Sequence, residues 1–146
     1  MGEATEQDWL RFDFYPAGAE LIAQGGRSGS LVVLKRGELE VRRDGRFVSA
    51  TSQPGAIFGE MSVLLERDHS ASVFAVTDVE VFVIDNALDV LEQHPNWLMQ
   101  IARLLAQRVN ATTAQLVALK QEAEAHPDEV LVLPANMFAA WSDPQV

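Results

Sequence analysis

The chain has two halves with different rhythms. Up to residue 59, short apolar runs alternate with turn residues. All nine glycines fall in that half and none after it, so turns punctuate the first part only. Segments 11–15, 20–23, 30–36, 38–43 and 46–50 are short and rich in β-branched or aromatic residues, as successive strands are. Pro16-Ala17-Gly18 and the run Gly25-Gly26-Arg27-Ser28-Gly29 separate the first three. Arg43-Asp44-Gly45-Arg46 predicts a tight hairpin, because Asp-Gly supplies the positive φ angles that such a turn needs. Gln53-Pro54-Gly55 predicts another turn. Val79, Val81 and Val83 alternate with Glu80, Phe82 and Ile84, the pattern of a strand largely buried on both faces. About eight short strands at regular spacing imply a sandwich or roll.

After Asp85 the period lengthens. Residues 86–93 predict a short helix, and His94-Pro95 ends it, since a residue before proline is pushed out of the helical region. Asn96 is expected to cap a long helix reaching to about Ala125. Leu98, Ala102, Leu105, Val109, Thr112, Leu116 and Leu119 step by alternating fours and threes, a heptad seam. A helix of roughly 28 residues is about 42 Å long, longer than a small domain is wide. Part of it therefore needs another surface, and a homodimer through residues 98–119 is the expected one, with packing on the chain's own strands as the other reading. His126-Pro127 stops the helix, and the tail over 129–141 is apolar and carries no Lys or Arg. It is too apolar for a typical disordered linker, and it is expected to dock on the domain, on its dimer mate or on a protein partner. The expected organisation is an N-terminal segment (1–9), a β-roll (10–94), a long dimerisation helix (95–125) and an apolar tail (126–146).

Charge and composition narrow the function. The formal net charge is −10, which repels nucleic acid over the surface as a whole. The basic clusters Lys35-Arg36 and Arg42-Arg43-Arg46 are interleaved with Glu38, Glu40 and Asp44, as on the wet face of a sheet. The tail is too short for a helix-turn-helix domain, so no nucleic-acid partner is expected. No apolar stretch approaches the roughly 20 residues of a membrane span, and the first 15 residues lack a secretory pattern. There are no cysteines, which removes thiolate metal sites and Cys nucleophiles; a cytoplasmic location is expected. With three dispersed histidines, His69, His94 and His126, and neither a P-loop nor a G-x-S-x-G motif, neither an enzyme nor a metal site is expected.

Residues 55–75 read GAIFGEMSVLLERDHSASVFA. Phe58-Gly59-Glu60 followed by an apolar run and Ser70-Ala71 resembles the phosphate-binding cassette of the cyclic nucleotide-binding domain family. Phe14-Tyr15-Pro16-Ala17-Gly18 is similar to that family's opening turn, and residues Leu34 to Val41 to its following hairpin. The resemblance covers about residues 10–122 and implies an α+β fold: a double-stranded β-helix jelly roll of about eight strands, a short cassette helix over 60–65 and a long C-terminal helix. It also implies a ligand, cAMP more than cGMP. The implied ligand-binding set is Phe58, Gly59, Glu60, Met61, His69, Ser70, Ala71, Thr112 and Thr113.

The residues themselves are consistent with those roles. Gly59 permits close backbone approach. Glu60 is suited to accept a hydrogen bond from a ribose hydroxyl, or else to sit solvated at the first turn of a helix. Met61 and Leu64 also read as core. Ser70 offers a hydroxyl and Ala71 a backbone N–H. Thr112 and Thr113 are similar to the hydroxyl pair of the catabolite-activator branch, where the long helix contacts the base. Position 69 departs from the pattern. The family's Arg, a permanent bidentate cation, is here His69. Losing that fork weakens phosphate binding by roughly tenfold to a hundredfold. Two readings follow: a stand-alone cyclic nucleotide-binding regulatory module that signals through its C-terminal helices, or a domain of the same fold that has lost the nucleotide and acts as a dimeric protein-interaction module.

Overall fold

The computed structural model describes residues 9–121 and 132–142. Eight strands form: β1 (Leu10–Tyr15), β2 (Glu20–Ile22), β3 (Leu31–Arg36), β4 (Leu39–Arg43), β5 (Arg46–Thr51), β6 (Ile57–Phe58), β7 (Ser72–Ala75) and β8 (Val79–Ile84). The helices are α1 (Glu60–Leu65), α2 (Ala87–Gln93), α3 (Pro95–Lys120) and α4 (Ala135–Phe138), with a 3₁₀ turn over Ala139–Ser142. The chain divides into two compact units, Met1–Ala102 and Arg103–Val146. The first holds every strand. The second holds the distal part of α3 and the tail elements.

The strands make two antiparallel four-stranded sheets, ordered β1-β8-β3-β6 and β2-β7-β4-β5. This is the expected α+β roll. Period-two alternation explains its core. Val79, Val81 and Val83 of β8 point inward with Val32 and Leu34 of β3, and meet Ile22, Leu39, Val73 and Ala75 of the second sheet. Each Val, Leu or Ile among them contributes about 1.5–3 kcal/mol when fully buried. The opposite face of β8 is half-covered rather than buried. Phe82 meets Phe12 edge-on at 5.7 Å, and the Lys35 ammonium lies 4.7 Å from the centre of the Phe12 ring. The hairpin between β4 and β5 turns at Asp44 and Gly45 with φ of 54° and 78°, the conformation that Asp-Gly supplies. β5 is an edge strand, and most of its residues are exposed.

The long helix starts one residue earlier than Asn96. Pro95 occupies its first position, where the missing N–H is no loss. The His94 carbonyl accepts the first two bonds, from Trp97 and Leu98 N–H, so Asn96 is inside the helix and is not its cap. Trp9 and Trp97 pack edge-on at 5.4 Å, and the His94 ring stacks on Trp97 at 4.0 Å. These aromatic contacts fix the corner between α2 and α3. α3 ends at Lys120, with Gln121 in a turn, so the expected helix is not continued at 121; its expected residues 122–125 and the stop at His126-Pro127 lie outside the described residues.

One ion pair closes the end of the first sheet. Arg11 donates to Asp85 at 2.8 and 3.3 Å, and Ser30 Oγ donates to Asp85 at 2.9 Å. The Arg11 hydrogen bond holds the Asp85 carboxyl below its ordinary value, with Ser30 aiding and burial opposing. The stabilisation is thus present above the usual carboxylate pKa, near 3.9, and is lost as pH falls through the lower folded value. Both side chains are nearly half exposed, so Asp85→Asn is expected to cost only about 0.5–1 kcal/mol at pH 7. Urea midpoints of the two proteins should differ at pH 7 and draw together as pH falls below the ordinary carboxylate range.

Candidate functional site

The cassette bridges the two sheets. β6 enters from the first, pairing Phe58 with Val32 and Ile57 with Val33. α1 and its following loop then cross over, and β7 leaves into the second sheet between β2 and β4. Gly59 makes the turn into α1 with φ of 89°. A Cβ at this position would lie 2.9 Å from the Ser30 carbonyl oxygen, so the turn after β6 can approach the residue before β3 this closely only without a side chain.

α1 departs from an ordinary amphipathic helix. Its buried residues are Glu60, Ser62 and Val63, whereas Met61 and Leu65 are half exposed. The reading of Met61 as core is therefore corrected: in this six-residue helix, the inward positions are taken by Glu60, Ser62 and Val63. The reading of Glu60 as solvated is corrected too. It is 5% exposed and engaged within the protein. Carboxylates are rarely buried to this degree.

Among the described residues the buried polar side chains are Ser30, Glu60, Ser62 and His69. All four belong to the cassette or its wall. Ser62 Oγ donates to the Arg67 carbonyl, and the Arg67 N–H returns to the Ser62 carbonyl, closing the end of α1 over Glu66 in a left-handed conformation. The loop is then stitched to the β2–β3 turn. Gly25 N–H donates to the His69 carbonyl at 2.8 Å, and His69 N–H to the Gly26 carbonyl at 2.7 Å. Arg27 pairs with Asp68 at 3.2 Å.

His69 is 6% exposed. Its Nε2 lies 3.1 Å from Ser28 Oγ, and its Cε1 lies 3.5 Å from where a Gly59 Cβ would be. Burial pushes the imidazole below its ordinary pKa of 6.5, with the Asp68 carboxylate acting against it. The position at which the family places a fixed cation thus holds a neutral ring at pH 7. Arg67 is exposed.

Phe58, Gly59, Glu60, His69, Ser70 and Ala71 are gathered by the cassette, with Ser70 exposed at its mouth and Ala71 half-buried. Thr112 and Thr113 lie exposed on α3 in the second unit. Ser28 and Ser30 were missed by sequence reading. They sit in a stretch legible only as a turn, and their contacts to position 69 and to Asp85 are long-range. Beside the cassette, a cavity of about 230 Å³ separates α1 from the start of α2. Arg27, Ser62, Glu66, Asn86 and Asp89 line it with Val63 and Ala87. Among the described residues no helix is long and apolar enough to cross a membrane.

Comparison with known proteins agrees with this architecture. The family model described as "Cyclic nucleotide-binding domain" matches residues 12–92, more than half of the chain. Glutaminase 2 of Bradyrhizobium diazoefficiens is 36% identical over 108 residues, covering 70% of this chain and 17% of that protein. The Cyclic AMP receptor protein of Thermus thermophilus is 31% identical over 114 residues, covering 74% of this chain and 53% of its own length. The crystal structure of the Thermus thermophilus Catabolite Activator Protein superposes with a TM-score of 0.68 at 28% identity, covering 81% of this chain and 58% of that one. The chain therefore spans about half the length of the receptor protein and under a fifth of the glutaminase. From the two-sheet roll, the cassette that bridges it and the matched residues 12–92, the chain belongs to the cyclic nucleotide-binding domain family.

Proposed function

We infer that the chain is a regulatory module that binds a cyclic nucleotide, cAMP in preference to cGMP, in the cassette. The observation that carries this reading is the burial of Glu60 beside Gly59 in a helix that leaves Met61 and Leu65 half exposed. A fold with no use for a carboxylate there would place Met61 or Leu65 inside. In this reading Glu60 accepts a ribose hydroxyl, the Gly59–Glu60 backbone approaches the phosphate, and Ser70 and Ala71 close the other side. The preference for cAMP draws on the cyclic AMP receptor among the relatives and on Thr112-Thr113. The roll over 10–94 is the sensor, and α3 joins two copies. Val109, Leu116 and Leu119 of the seam are 43–70% exposed, an apolar stripe suited to a second copy. The cavity between α1 and α2 leaves room for α2 to shift with the cassette, and a population shift of α2 and the base of α3 is the signal. The tail over 126–146 is then the segment that meets a protein partner.

A second reading rests on His69. A buried imidazole tied to Ser28 serves structure as well as it serves a ligand, and a domain that has lost its nucleotide would keep the dimer seam as its function. Calorimetric titration with cAMP and with cGMP separates the two. Saturable heat with a rise in melting temperature is the expected result. No heat and no thermal shift at millimolar ligand would leave the second reading standing.

A further inference from the structure

His69 differs from a residue that has simply been lost. Its ring is more than nine-tenths buried, yet it is only half used. Nε2 faces Ser28 Oγ. That oxygen already accepts the Ser30 N–H at 3.2 Å. Nδ1 has no hydrogen-bond partner among the described residues. Nor is it sealed off, since every enclosed side-chain nitrogen or oxygen among those residues has a partner. Cε1, bonded to the unused nitrogen, lies 3.5 Å from where a Gly59 Cβ would be, so the ring stands beside Gly59 in the proposed phosphate cradle. When Nε2 donates to Ser28, Nδ1 carries a lone pair, which repels an anion. A proton on Nδ1 reverses this and gives a charged donor.

We propose that ligand binding by this chain is proton-coupled: His69 takes up one proton from solvent as the cyclic phosphate enters, and so acts as a conditional cation where the family keeps a permanent one. The proposal rests on the cyclic nucleotide reading above and adds its regulation. The charged groups around the ring set the limits. Asp68 and Arg67 flank it in the loop, Glu60 and Glu66 lie at the two ends of α1, Arg27 comes from the β2–β3 turn, and Asp85 stands behind Ser30. Asp68 is the one that acts on the ring at close range, and it favours the proton. Its own pairing with Arg27 moderates that pull. Burial acts more strongly and keeps the free ring neutral at pH 7. A bound phosphate adds an opposite charge and raises the ring's pKa. Between the free and bound values, each binding event consumes a proton, so affinity falls as pH rises by up to about tenfold per pH unit.

The test is calorimetric titration of the full chain with cAMP at pH 6, 7 and 8, each in two buffers of different ionisation enthalpy. The expected results are uptake approaching one proton per ligand near pH 7 and tighter binding at pH 6 than at pH 8. His69→Gln, which can keep a hydrogen bond to Ser28, should bind more weakly and without proton uptake. His69→Arg should bind without uptake and be tighter than the parent at pH 8 by about tenfold, the worth of a charged hydrogen bond. Parent affinity that is constant from pH 6 to 8 with buffer-independent heat overturns the proposal and leaves the ligand reading intact. Uptake that persists in His69→Gln overturns it as well. Absence of binding by both the parent and a folded His69→Arg at pH 6 overturns the ligand reading itself, and the proposal with it.

Discussion

Gly59→Ala is expected to destroy cyclic nucleotide binding while leaving a folded but weakened domain. Two costs act together. Gly59 has a φ of 89°, where an L side chain is strained by about 1–2 kcal/mol. The new Cβ would also press to 2.9 Å on the Ser30 carbonyl. That oxygen is backbone at the start of β3 and cannot swing away as a flexible side chain would. Relief must come from β6 and the first turn of α1, the backbone that forms the cradle. A stability loss of about 1–3 kcal/mol follows. Displacing two charge-assisted hydrogen bonds at about 1.5–3 kcal/mol each weakens the ligand more than a hundredfold. Gly55→Ala is the control. Gly55 has a φ of 91° but a Cβ there meets nothing within 4 Å. It should show the strain in a thermal melt and retain ligand affinity in calorimetry. If both variants bind alike, close backbone approach at Gly59 is not what makes the cradle.

Glu60→Gln isolates the carboxylate. The shape is kept and the charge removed at a position 5% exposed. If Glu60 accepts a ribose hydroxyl, the variant loses one charge-assisted hydrogen bond, about 1.5–3 kcal/mol, or roughly tenfold to a hundredfold in affinity. The sharper check uses a 2′-deoxy cyclic nucleotide. That ligand lacks the partner hydroxyl, so parent and Glu60→Gln should bind it with similar affinity. An equal loss for both ligands would mean that Glu60 supports the cassette without touching the ribose.

Local structure was written plainly in the chain. The Asp44-Gly45 turn, the valine alternation of β8 and the end of α2 before Pro95 each depend on neighbours a few residues away, and each appears where the pattern puts it. Pairing was not legible from pattern. β8 lies between β1 and β3, and β7 between β2 and β4. Nothing in a periodicity encodes contacts between residues so far apart: strand spacing left a sandwich or a roll open, and only the family resemblance chose the roll. At the site, residue identity was readable and orientation was not. A His could be seen at position 69, but its turn onto Ser28 depends on two backbone bonds to Gly25 and Gly26. Hydropathy placed Met61 inside. The structure places Glu60 and Ser62 there instead, together with Val63, and leaves Met61 half exposed.

The central claim is that a cyclic nucleotide binds in the cassette of this chain. Titration of the isotope-labelled protein with cAMP at pH 6.5, followed by amide resonances, tests it most directly. The account predicts saturable shifts concentrated at Gly59, Glu60, Met61, His69, Ser70 and Ala71, with smaller changes in α2. An unchanged spectrum at millimolar ligand, or shifts confined to residues away from the cassette, would contradict it.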